Sequence, residues 1–384
     1  MTSHRVLISG ASIAGPSLAF WLHRYGFDVT VVEKASTVRR GGQAVDFKGP
    51  VHHAVLARMG ILEAVQRASV ADHDGAIVNA RGRRIGVVPG AFSGGEINIP
   101  RGDLAAILHG LTATSCEYVF GDAITSLDET TTGVDVTFEH RAPATYDVVV
   151  GADGIHSHVR HLAFGPESSY VTHLGYCYAL ADLDAGEDDV LYNEPGRMVG
   201  LGGAKAPAFF VFASGPLTRD RDDVALQKKQ VVDVYRGGRW RIPELMAKIP
   251  DAEEFYLDSI SRVTMEHYTR GRVALVGDAA HGNALGGFGT GLAVVGAYVL
   301  AGELHRAGGD ISRAFTRYET LFRDYASVSQ KINAGRLLAP HTRIGILGRN
   351  LLFAALAVSG PLMKTFDSPA TNIHLEDYEP APTS

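Results

Sequence analysis

Cysteine is scarce in this chain: its two residues, Cys116 and Cys177, lie far apart in apolar settings. They form neither a disulfide framework nor a zinc-ligand spacing, so a reducing cytoplasm is the expected location and no metal site is expected. Charge of one sign is also missing. A net charge of −6 leaves no basic footprint for nucleic acid, and Arg39-Arg40 and Lys228-Lys229 are short enough to be solvated surface. No stretch offers the roughly 20 uninterrupted apolar residues of an integral membrane segment. The most apolar late segment, Ile344 to Met363, is broken by Arg349, Asn350, Gly360 and Pro361, so a buried or surface-lying helix is expected there. The first strand begins by Val6, which leaves no room for a signal peptide.

What remains is a chain of 384 residues, 46 % hydrophobic and 20 % charged, enough for two domains with an ample core. Val6 to Ser9 is a short apolar run before the glycine turn Gly10-Ala11-Ser12-Ile13-Ala14-Gly15. Leu18, Trp21 and Leu22 share one face of a helix expected to begin near Pro16 and stop at Gly26, and Val29 to Glu33 follows as a β-branched strand. Gly10 permits the tight turn and Gly15 the close packing of helix on strand. Ser12 replaces the usual middle glycine but is small enough for the backbone to approach a diphosphate, where the helix N-terminus would aim its N–H groups. Glu33 ends the second strand about 20 residues after the turn, where an acid takes ribose hydroxyls and repels a 2′-phosphate. This pocket is therefore not expected to hold NADP. No second glycine fingerprint follows a later strand, which argues against a separate nicotinamide domain.

Two further segments have the same character. Gly151-Ala152-Asp153-Gly154 closes the strand 146–150, and Asp153 is placed to cap the next turn or to accept hydrogen bonds from nearby donors. Asp278 ends the apolar strand after Arg272, where open α/β sheets place ligands, and its carboxylate suits a ribityl hydroxyl. Gly286-Gly287-Phe288-Gly289-Thr290-Gly291 then opens a long helix whose positive end would favour the negative charge of a reduced flavin. His281 is assigned no catalytic role.

Helical spacing is expected over 51–68, 101–111 and about 220–248, and hairpin strands over 74–100. Strands rich in aromatics are expected around Tyr176, Asp189 to Tyr192, Met198 and Ala208 to Phe212. Leu337, Leu338, Ile344, Leu347, Leu351 and Leu352 are expected to pack C-terminal helices onto the body, and the polar tail after Pro369 to be loosely held.

Over about residues 5 to 335 these motifs resemble the class A flavoprotein monooxygenases, the para-hydroxybenzoate hydroxylase-like family, in particular its tetracycline-degrading and actinobacterial tailoring hydroxylase branch. The resemblance implies an α/β fold: a discontinuous Rossmann-type FAD-binding domain (1–73, 101–169 and 263–335) interleaved with a smaller antiparallel-sheet substrate domain (74–100 and 170–262), then a C-terminal helical region, 336–384. It carries FAD binding to Gly10, Ser12, Ile13, Ala14, Gly15, Glu33, Lys34, Asp153, Asp278, Gly289 and Gly291. Arg39-Arg40-Gly41-Gly42-Gln43 resembles the flavin-flanking arginine segment, nominating Arg40 and Gln43. Ile99-Pro100-Arg101-Gly102-Asp103-Leu104 resembles the FAD-contacting arginine motif, nominating Arg101. The Asp153 motif is associated with reduced nicotinamide as well.

The implied activity uses NAD(P)H to reduce FAD, with O₂ added as the flavin C4a-hydroperoxide and delivered to an aromatic or polyketide-like small molecule. No metal and no nucleophilic triad is needed. Tyr176, Tyr178, Tyr192, Met198, Phe210 and Phe212 are candidates to line the substrate cavity, although alternate strand residues point to opposite faces. Two departures stand out: Ser12 for glycine, and no proline between Pro250 and Pro340, where the family often places one soon after the histidine. The altered loop leaves room for a FAD-dependent dehydrogenase or oxidase without oxygen insertion. A non-catalytic flavin-binding protein that sequesters an aromatic ligand is the third reading.

Overall fold

The computed structural model describes residues 4–39, 41, 43–71, 74–90, 96–186, 189–202, 208–217, 223–358 and 373–378. Its first sheet has six strands in the order Thr269–Arg270, Val273–Leu275, Val148–Gly151, Arg5–Ser9, Asp28–Glu33 and Glu117–Phe120, all parallel except the first. Val6, Leu7, Ile8, Val149 and Val150 are wholly buried. Such unbroken apolar runs suit strands covered on both faces. The helix Ala14–Arg24 packs on the long helix Gly289–Ala307, with Trp21 edge-on to Tyr298 at 4.8 Å. That first helix begins at Ala14, two residues earlier than the sequence suggested. Pro16 is tolerated because the first turn of a helix has no use for its N–H groups.

The second sheet has seven strands in the order Phe255–Val263, Val171–Ala181, Ala208–Ala213, Arg197–Leu201, Val190–Glu194, Gly75–Val78 and Arg84–Val88. Only Val190–Glu194 and Gly75–Val78 run parallel. One face carries Cys177, Ala179, Tyr192, Val199, Phe210 and Phe212 and is covered by the helices Val224–Tyr235 and Ile242–Lys248. The other face carries Ile77, Tyr176, Leu191, Met198, Val211 and Ile260, with Tyr178 partly buried beside them. Ile97–Pro100 departs from the expected hairpin: it pairs with Ala44–Phe47 in a small sheet of two strands, which delivers Arg101 to the dinucleotide turn.

The C-terminal region corrects two expectations. Leu337 and Leu338 do pack inward, but along the helix Arg343–Val358 the residues Ile344, Leu347, Leu351 and Leu352 are exposed by 84, 60, 64 and 49 %. Phe353 and Arg349 face the body instead. The helix is apolar nearly all round, so periodicity could not tell which side would be buried. The described part of the tail is also tightly held. Tyr378 is buried against Tyr298, donates its hydroxyl to Glu303 at 2.8 Å, and lies where any side chain on Gly302 would collide with its ring. Among the described residues no helix is long and apolar enough to cross a membrane.

Removing this ring leaves a cavity and a buried carboxylate short of a donor. Tyr378→Ala is therefore expected to cost about 3 kcal/mol of stability, read as a lower urea midpoint at an unchanged slope. Loss of under about 0.5 kcal/mol, the range of ordinary surface changes, would show that the tail is not held as described.

Candidate active site

Three neighbouring parallel strands place three turns on one edge of the first sheet. Ser9 is in register with Gly151, and Gly151 with Leu275, so the segments beyond them emerge side by side. Their backbones nearly touch. Gly10 has φ of +108°, and a Cβ there would sit 2.5 Å from the Ala152 carbonyl oxygen; one on Gly15 would sit 1.9 Å from that of Gly10. The buried Arg160 ties the second turn to the third by donating to the Ile155 carbonyl at 2.7 Å and the Ala279 carbonyl at 2.9 Å. Burial lowers its pKa against the pull of Glu167 and Asp153.

Ile13 and Ala14 form the N-cap and first residue of the dinucleotide helix, which has no side-chain cap, so its leading N–H groups face the turn. Glu33 accepts the Ala11 N–H at 2.8 Å and the Ala35 N–H at 2.9 Å, locking the turn to the end of the second strand. Lys34 beside it is exposed. Arg101 donates from Nη2 to the Ser12 hydroxyl at 2.9 Å, and its backbone N–H reaches the Gln43 carbonyl at 3.3 Å. Arg40 lies outside the described residues. Gly289 and Gly291 open the long helix, again without a side-chain cap, and Gly291 leaves the space filled by the His52 ring.

The two aspartates differ. Asp153 takes hydrogen bonds from Ser157 Oγ, from the His158 N–H at 2.8 Å and from the Val159 N–H at 3.1 Å, so its carboxylate caps the helix His158–Phe164. Burial still raises its pKa, opposed by those donors. Asp278 is open to solvent, and the protein crowded around it raises its carboxyl with only Arg101 opposing. It has no hydrogen-bond donor among the described residues. Arg101 is thus the charge the site shares: it bonds Ser12 and acts electrostatically on Asp278, Tyr178 and Tyr256.

This donor set fits FAD. The glycine-bracketed turn, the uncapped helix N-terminus and Arg101 suit the diphosphate. Asp278 suits a polyol that brings the missing donors, and the second uncapped N-terminus suits an electron-rich ring edge.

The loop that lacks a proline is held by other means. Gly282 accepts from the Val263 N–H, Ala284 donates to the Ser261 carbonyl, and Asn283 donates to the Ser329 and Ile332 carbonyls at 2.5 and 2.9 Å. His281 is buried with Nε2 unpartnered among the described residues, and burial lowers its pKa to about 4. His52 bonds the Lys48 N–H and the Tyr325 hydroxyl; burial, aided by His53 and Lys48, lowers it to about 4 as well.

Of the cavity candidates on the second sheet, Tyr176, Tyr178 and Met198 share the face turned away from the covering helices. Tyr192, Phe210 and Phe212 point the other way, into the core under those helices, because a strand alternates its side chains. Sequence reasoning missed Tyr256, Asp258 and His156. Tyr256 donates to Asp258 at 2.9 Å, and His156 sits between Asp258 at 3.0 Å and Glu167 at 3.1 Å. The strand Phe255–Val263 was not anticipated: Leu257 through Ser261 are all buried, and the serines and aspartate among them break the apolar pattern by which a strand is read.

Comparison with known proteins agrees with this geometry. The FAD binding domain family matches residues 3–309. A flavin-dependent monooxygenase of Legionella longbeachae is 34 % identical over 85 % of this chain and 87 % of its own length. A FAD-dependent monooxygenase of Sarocladium schorii, asL4, is 31 % identical over 82 % of this chain and 79 % of its own. Among solved structures, the tetracycline destructase Tet(51) aligns with a TM-score of 0.83 at 30 % identity, covering 99 % of this chain and 100 % of that one.

Two outcomes follow. Arg160→Met leaves the Ala279 and Ile155 carbonyls without their donor and should weaken FAD retention at least about tenfold, seen as a lower 450 nm to 280 nm absorbance ratio after dialysis. Retention equal to wild type would show that Arg160 does not align the turns. His52 and His281 bind protons more readily once unfolded, near pH 6.5, than when folded. Stability should therefore be complete above that value and fall towards pH 4, by about 2 kcal/mol for each ring at pH 5. His281→Phe should flatten denaturation midpoints between pH 7 and 5, and an unaltered slope would refute a buried neutral ring.

Proposed function

Because this chain belongs to the FAD binding domain family and is a flavin-dependent monooxygenase of class A, we propose that it uses NADH or NADPH and O₂ to oxygenate an aromatic or polyketide-like small molecule. The observation that carries this reading is the position of Arg101. One guanidinium bonds the dinucleotide turn and acts on both the ligand-ready Asp278 and the sheet tyrosines Tyr178 and Tyr256. Cofactor motifs and aromatic sheet therefore lie within the electrostatic reach of one guanidinium.

When bound, FAD supplies the two-electron chemistry that activates oxygen. Ser12, Arg101 and the N–H groups of the first helix would hold its diphosphate, Glu33 its adenosine ribose, and Asp278 its ribityl chain. The N-terminus of Gly289–Ala307 stabilises negative charge on the reduced ring. The sheet face that carries Tyr176, Tyr178 and Met198 would roof the reacting centre and exclude water from it, with Tyr178 its partly buried member while Tyr176 and Met198 pack against C-terminal residues such as Gly335, Ala339 and Phe353. Such a roof fits a planar or polycyclic substrate, and the alignment with a tetracycline destructase supports that class. Reduced nicotinamide is a transient visitor in this reading: Glu33 reserves the dinucleotide pocket for FAD, and Asp153 lies on the loop next to it.

The expected outcome with purified, FAD-loaded protein is substrate-dependent consumption of reduced nicotinamide and O₂ across phenols and polyketide-like compounds. One heavy oxygen atom should enter the product from labelled O₂ and none from labelled water. Uniform absence of substrate stimulation across these compounds would sink the substrate class.

A further inference from the structure

Lys48 joins the strand Ala44–Phe47 to the helix Gly49–Arg58, a place from which a lysine could reach solvent. Its side chain is instead only 13 % exposed, and its ammonium lies 3.3 Å from Asp46 Oδ2. Extended backbone puts the two on one side, while Phe47 between them is buried in the core. Two links tie Lys48 to the start of the helix Gly289–Ala307. The ammonium stands 5.1 Å from the centre of the Phe288 ring, and Phe288 is the N-cap of that helix. The Lys48 backbone N–H donates at 2.9 Å to His52 Nδ1, and the His52 ring fills the space beside Gly291. With Nδ1 accepting, that ring is neutral and adds no charge of its own. A cation is the wrong charge for this place. Neither Gly49–Arg58 nor Gly289–Ala307 has a side-chain cap or an acidic residue in its first turn, so both present positive ends. Lysine is favoured at the opposite end of a helix, and only an anion makes this arrangement favourable.

We propose that Lys48 is a further catalytic residue, whose ammonium, held by Asp46, stabilises the negative charge of the reduced flavin ring and so raises its reduction potential. The proposal rests on the FAD site argued above, and adds a side-chain charge to the helix end already assigned to that ring. A hydride from reduced nicotinamide brings two electrons and one proton to the oxidised ring, which is left with one negative charge while the nicotinamide is oxidised. A cation beside the ring favours that product over the neutral oxidised form, because only the product attracts it. Asp46 is the positioning residue. Its carboxylate steadies the ammonium and cancels part of its field, so the two side chains act on the potential in opposite directions.

The test is the flavin reduction potential of FAD-loaded protein without substrate, measured by equilibration with a reference dye. Lys48→Met keeps an apolar stem and removes the charge. It should favour the oxidised ring by about tenfold, a potential about 30 mV lower for a two-electron couple. Lys48→Arg keeps the charge and should lie closer to wild type than Lys48→Met does. Asp46→Asn strips the counter-charge and should move the potential upward. Damage to packing has no reason to change sign between two variants of one pair. A wild-type potential in Lys48→Met, or shifts of one sign in Lys48→Met and Asp46→Asn, overturns the proposal while leaving FAD binding and the monooxygenase reading intact. A lysine that serves an anionic substrate instead would leave the substrate-free potential unmoved, and so falls under the first of these outcomes. Wild-type protein that takes up no FAD overturns the cofactor site and this proposal with it.

Discussion

The site depends on three adjacent parallel strands whose ends approach without side chains between them. Ser9, Gly151 and Leu275 stand in register, and the space a Cβ would need at Gly10 or Gly15 is already filled by backbone carbonyls. Parallel neighbours whose connections run over the sheet faces must deliver their C-terminal turns to one edge. Close backbone approach then leaves N–H groups as the chemical surface. This surface favours extended anionic ligands because it offers many donors and little steric relief.

The chemistry of that edge divides between two aspartates in matching positions. Asp153 finds its donors within the chain, from Ser157 and the first N–H groups of the next helix, and so completes a local structure. Asp278 finds none among the described residues, and burial raises it against Arg101 alone. Being open to solvent, its carboxylate is satisfied by water in the free protein and keeps its accepting lone pairs available to hydroxyls that would replace that water. Asp278 thus has accepting capacity to spare, whereas Asp153 has little left to give.

The cofactor edge was readable in the sequence because local rules govern it: glycine turns, strand-end carboxylates and an acid at fixed spacing all act within one βα unit. The face of each strand in the second sheet was not readable. Tyr192, Phe210 and Phe212 belong to the helix-covered core while Tyr176 and Tyr178 do not, and only the registers between neighbouring strands tell them apart. His156 meets Asp258 across 102 positions of sequence, a pairing that no local pattern encodes. The helix Arg343–Val358 failed for a third reason: an apolar surface on every side carries no directional signal.

The loop without a proline shows how the two sheets are coupled. Val263 donates to Gly282 and Ala284 donates to Ser261, so the outer strand of the second sheet is paired with the segment that leads into the helix Gly289–Ala307. This pairing covers a strand edge that would otherwise stand open. It also supplies the restraint that a fixed φ would give, since Leu285 and Phe288 hold left-handed φ values of 58° and 64°. Each such residue costs about 1 kcal/mol or more and persists only where its surroundings over-determine it. Asn283, anchored to two carbonyls and bridged to Arg262, provides that determination. The strand Phe255–Val263 and the loop entering the helix Gly289–Ala307 are therefore one hydrogen-bonded unit, and a displacement of either must be shared by the other.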